Sequence, residues 1–317
     1  MTAARKNTGR PRPSWFTRFW AVVRYEMLWN IRKKKFIGVI IVAFVLATLS
    51  WVLPLVSSSA TGQTINANPD YAVTFTIPAF GMFLFALITA MNTISSEFES
   101  GTIVPLLTKP VSRTMVFLGK LLAAFIIILV TYAILFVYGV IGGALVYGPQ
   151  NNLHLVPLGL LGNILNTFVW IAIILAAGAL SKSTIISTLV ALGFFIGILF
   201  AAPIVSLFAG PSPVLNYVPG SGASGTMLTT QGLVTVGGGT DNIGANLVNS
   251  VLYPSADVDF NRTSFEIQGG QLNMTQTFAY TEPISLITSR SVATAATYTI
   301  VFLVVAWVAF KRAQVLE

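Results

Sequence analysis

Apolar and polar positions alternate along this chain in long blocks. Six stretches carry no charged side chain, apart from Lys120 near the start of the third, and the polar residues gather between them. An Asp, Lys or Arg at a helix centre costs about 2.5–3.5 kcal/mol on insertion into a bilayer. About 20 apolar residues suffice to cross a hydrocarbon core of about 30 Å as a helix. The pattern therefore predicts spans over residues 36–56, 73–94, 114–147, 156–180, 184–208 and 291–310. The third would reach about 50 Å at 1.5 Å per residue, so its first turns are expected to project beyond the membrane. Gly139, Gly142 and Gly143 are expected to loosen its far end.

Composition agrees. The chain is 55% hydrophobic and 9% charged, with mean hydropathy +0.79. Soluble domains carry about 25% charged residues, so lipid is the solvent this sequence fits. There is no cysteine, which excludes disulfides and thiolate ligands. The fold class expected is an all-α polytopic membrane protein, with six transmembrane helices, an N-terminal interfacial helix and a small external β or irregular cap.

The charge of +8 would suggest nucleic acid if it formed a patch, but the basic residues lie at span ends. With the N-terminus inside, 16 of the 18 Lys and Arg fall on the inner side, and only Arg262 and Arg290 lie outside. The positive-inside rule then predicts cytoplasmic termini, in a multi-pass protein of the plasma membrane with no nucleic-acid partner.

Residues 1–13 are basic and contain Pro and Gly, which predicts a disordered tail. Residues 14–35 predict an amphipathic interfacial helix. Phe16, Phe19, Trp20, Val23, Met27 and Ile31 share one face, opposite Arg18, Tyr25 and Arg32. Trp15, Trp20, Arg32 and Lys33 are its candidate interface anchors, with Lys120 on the third span. Packing against a partner is the alternative for this helix. Ser58-Ser59-Ala60 resembles a signal cleavage site, but the 35-residue leader is too long for a usual signal. Spans one to five occupy 36–208, and the last span with a short tail occupies 289–317. Between them, 209–288 is rich in Gly, Thr, Asn and Ser, with β-type runs at 233–236, 264–268 and 274–280. It predicts a small external domain. Asn261 and Asn273 each begin an Asn-X-Thr glycosylation sequon there.

Chemistry is sparse. No phosphate-binding loop occurs, so the chain is not expected to be an enzyme. His154 is the only histidine, and it has no Cys or second His to complete a metal site. The span centres lack ionisable groups, unlike those of ion-coupled carriers. Any work must arrive through a surface.

The loop 95–113 is the richest inner segment. It holds Glu97, Glu99, Gly101-Thr102, Leu106-Leu107 and Pro110-Val111-Ser112-Arg113, followed by Gly119-Lys120. In this order, between the second and third spans, these elements resemble the permease family of type-2 ABC transporters. The resemblance implies a coupling helix that docks on a separate ABC ATPase subunit. It also implies a second permease copy or paralogue, and ATP with Mg held by the ATPase and no cofactor bound by this chain. Glu97, Glu99, Gly101, Thr102 and Arg113 become the candidate coupling residues. Pro105 departs from the helix expected there. The function implied is the permease of an exporter, its substrate unidentified, an amphipathic or lipid-like cargo being compatible with the apolar spans. The alternative is a membrane anchor for an external protein complex.

Overall fold

The computed structural model describes residues 14–32, 34–62, 67–99, 111–222, 224–229, 232–268 and 271–312, with side chains left undescribed at 35, 209, 262–268 and 271–276. The basic tail 1–13, Lys33, Gly101, Thr102 and Pro105 lie outside the described residues.

Among the described residues, six helices are long and apolar enough to cross a membrane. Helix α1 (Trp15–Ile31) begins where the Ser14 hydroxyl caps the Thr17 amide at 3.2 Å. Helix α2 (Lys34–Thr61) is the first crossing helix. The second is broken into α3 (Tyr71–Thr74), α4 (Ala79–Ala90) and α5 (Ser95–Glu99). Then follow α6 (Arg113–Tyr147), α7 (Val156–Ser181) and α8 (Thr184–Ala209). The inserted domain contains β1 (Ser224–Thr229), β2 (Gly232–Gly237), α9 (Ile243–Leu252), β3 (Asp257–Gln268) and β4 (Gln271–Pro283). Helix α10 (Ile284–Arg312) is the last crossing.

Helix α7 is the central post, with α4, α8, α9 and α10 packed along it. It carries no charged residue, and Val169, Trp170 and Ala172 are wholly enclosed. Trp170 packs edge-on to Phe83 and Phe195, which stack on each other at 4.2 Å. Two glycines admit α9: a Cβ on Gly162 would stand 2.5 Å from the Gly244 backbone.

The break at Pro78 has a local cause. Proline sets the start of α4 and leaves 75–78 without helix. The freed Ile77 N–H donates to Asn163 Oδ1 at 3.0 Å, so α7 satisfies the open backbone. The expected loosening of α6 is not seen. It runs unbroken, and its three glycines are seats for rings: Phe75 on Gly139, Trp51 on Gly142 and Tyr71 on Gly143.

The inserted domain is more ordered than its composition suggests. Its antiparallel strands run in the order β2-β1-β3-β4. Met227, Val236, Val258 and Phe260 form a small core with Ile284 and Ile287 of α10. Arg290 clamps Glu282 with two bonds of 2.8 and 2.6 Å, fixing β4 to α10.

Candidate coupling site

One end of the helix bundle converges on the short helix α5. Its Ser95 is buried, its Glu97 half-buried and its Glu99 exposed, so the two acids turn different ways.

Glu97 faces Lys120 of α6 at 2.8 Å, and Lys120 also pairs with Glu26 of α1 at 2.5 Å. The lysine is 5% exposed. The sequence reading made it a headgroup anchor; the structure instead encloses it between two carboxylates. Desolvating an ammonium costs several kcal/mol, which explains why two acids surround it. Glu97 Oε2 is enclosed with no hydrogen-bond partner among the described residues. Close packing makes the triad possible. A Cβ on Gly119 would lie 2.8 Å from Val22 of α1, so only glycine lets the two helices approach this closely.

Glu99 Oε1 accepts from the Thr184 amide at 2.7 Å and from the Ser183 hydroxyl at 3.0 Å. It caps α8, where the helix dipole favours an anion. Ser95 and Thr184 hydroxyls meet at 3.1 Å. Arg113 donates to the carbonyls of Phe310 and Lys311, at 3.4 and 3.0 Å, closing the end of α10. Phe310 in turn packs against Phe98 and Phe117. Three of the sequence-chosen residues, Glu97, Glu99 and Arg113, thus tie together α1, α5, α6, α8 and α10. Glu26 was missed, although a lone acid among aromatic and basic residues of α1 was a readable signal.

Helix α1 buries Val23, Glu26 and Asn30, with Glu26 and Val23 against α6, while Trp15, Phe16, Trp20 and Ile31 are exposed. Packing on α6 and an outward aromatic face therefore coexist. Among the described residues no group of His, Asp and Glu is arranged to hold a metal. In the inserted domain Asn261 is exposed on β3, and the Asn273 side chain lies outside the described residues.

A family model described as ABC-2 family transporter protein matches residues 20–315. The chain belongs to this family. Among curated proteins none matches it. The ABC-2 match runs from within α1 to past the end of α10, so its bounds enclose the inserted domain. The hub around α5 occupies the place in this ABC-2 chain where the coupling motif was read.

Proposed function

We propose that this chain is the permease subunit of an ATP-driven exporter whose segment 95–113 receives force from a separate ABC ATPase. The observation that carries the reading is the α5 hub. A single short helix contacts α6 through Glu97–Lys120, α8 through Glu99–Thr184, and α10 through Phe98–Phe310. Force applied beside α5 reaches these helices together. Closure of the ATPase around ATP then biases the spans between two arrangements, and hydrolysis resets them. Two permeases with two ATPases form the working assembly. Both termini are cytoplasmic in the plasma membrane, and the inserted domain is external.

The test is site-directed cross-linking. The chain has no native cysteine, so Thr102→Cys provides a single thiol three residues after α5 in the sequence. Co-expressed with its ATPase, this variant is expected to cross-link to that subunit, while Asn151→Cys does not. Cross-linking of an unrelated external protein through the inserted domain, with none at position 102, would favour the anchor reading.

A further inference from the structure

At Pro283 the chain doubles back. Strand β4 ends there and α10 begins at Ile284. Arg290, the seventh residue of α10, returns to hold Glu282 of β4 by two hydrogen bonds. Ile284 and Ile287 share the core of Val258 and Phe260. The helix therefore starts out alongside the strand it follows. Traced from Tyr280 toward Gln271, β4 heads the way α10 enters the membrane. Strand β3 also lies against α8, a crossing helix whose last turn leaves Leu207 and Phe208 exposed.

The ribbon of β3 and β4 outruns the rest of the sheet. Strand β1 pairs with β3 at Val258 and Asp259, while β3 and β4 stay paired as far as Gln268 and Gln271. From Asn261–Phe278 onward that is eight residue pairs, a length of about 25 Å. Ala279 is the extra residue of a bulge at the root of this stretch, a device that re-aims a strand. Among the described residues no third strand flanks it. Two strands alone are at best marginally stable in water, so the ribbon needs a surface to rest on.

The register says what kind of surface. Opposed residues of an antiparallel pair share a face, and successive residues alternate between faces. Asn261 opposes Phe278, Phe265 opposes Met274 and Ile267 opposes Leu272, so every apolar residue of the stretch falls on one face. Both of its charged residues, Arg262 and Glu266, fall on the other. Phe278, at the root of the apolar face, is 66% exposed. Pairing with a further strand would use the backbone edges and would not sort residues by face. An apolar face backed by a charged one suits a boundary between hydrocarbon and water.

We propose that the distal β3–β4 ribbon is a membrane-interface element. Its face with Phe265, Ile267, Leu272 and Met274 rests on the acyl chains of the leaflet nearest the inserted domain. Its face with Arg262 and Glu266 meets headgroups and water. The free N–H and C=O groups along its edges keep it at the interface, because hydrocarbon would leave them unpaired. The ribbon thereby moors the inserted domain to lipid beside α8 and α10.

Spin labelling of the full chain in phosphatidylcholine nanodiscs tests this, since the chain has no native cysteine. Labels at Leu272→Cys and Met274→Cys should collide severalfold more with oxygen, which concentrates in hydrocarbon, than with a water-soluble nickel chelate. Labels at Asn273→Cys and Thr275→Cys should show the reverse preference. So should Leu228→Cys, toward the opposite end of the sheet. Nickel-favoured collisions at all four ribbon positions would overturn the proposal in favour of a ribbon held in water. Loss of both collision signals at 272 and 274, with spin–spin broadening between labelled copies, would overturn it in favour of contact with a second copy. Should Leu272→Cys or Met274→Cys fail to fold, Ile267→Cys against Glu266→Cys makes the same comparison on β3.

Discussion

A lysine ammonium taken out of water needs compensation several kcal/mol deep, and removing one partner of a buried ion pair costs about 3–5 kcal/mol. Lys120 stands between Glu26 and Glu97 at 2.5 and 2.8 Å. Lys120→Met would leave two buried carboxylates facing each other. We expect a loss of about 3–5 kcal/mol, seen as a lower unfolding midpoint in detergent. Replacing all three residues by Leu, Met and Leu removes the charges together, and such swaps are often neutral or stabilising. The triple variant should therefore fold about as well as wild type. If the triad transmits force, its transport-linked ATP turnover should nonetheless fall. Full coupling in that variant would show that the triad only supports the fold. Reversing charge at Glu97 is a poor probe of ATPase docking, because the new lysine would face Lys120. Glu99 is exposed, but it also caps α8.

Among elements, the broken second crossing depends on one side chain of another helix. Asn163 Oδ1 receives the Ile77 N–H at 3.0 Å, and a buried donor left unpaired costs about 1–3 kcal/mol. Asn163→Leu is expected to destabilise by that amount and to raise hydrogen exchange at 75–78, whereas a change at the exposed Leu161 should not. A Gly162→Leu variant should detach α9 from α7 and expose peptide 240–252 to protease, since the two backbones meet there. The six crossings were legible because 20-residue apolar blocks have few alternatives in lipid. The sheet was partly legible: β2, the end of β3 and the middle of β4 carry the β-type runs, while β1, with its Gly-Thr-Met-Leu, does not stand out. Helix α9 was overlooked in a segment dominated by Gly, Asn and Ser, although Ile243, Leu247, Val248 and Val251 fall at helical spacing. At the coupling site the identities of Glu97, Glu99 and Arg113 were readable, but their partners were not. Pairing with Glu26, Ser183, Thr184 and the end of α10 depends on helix packing, which a single sequence does not encode locally.

For the whole molecule the open question is direction. Six crossings put both termini on one face whichever face that is, so charge decides. In the proposed topology, 16 of the 18 Lys and Arg are assigned to the side of α1 and α5. Each basic residue on the translocated side opposes insertion, and the opposite orientation would place nearly all of them there. The proposed orientation would set the α5 hub toward soluble ATP and leave the β-sheet domain outside. A membrane-impermeant maleimide tests it, because the native chain has no cysteine. Leu228 is 75% exposed in the inserted domain, and Asn151 is exposed between α6 and α7. Ser221 lies in the same domain but is 5% exposed and would be a poor reporter. Cysteines at Leu228 and Asn151 should label in intact cells, and cysteines at Ser100 and Gln314 only after permeabilisation. Labelling at position 100 in intact cells would reverse the topology. It would also remove the ATPase contact, since α5 and the segment after it would then face away from the compartment that supplies ATP.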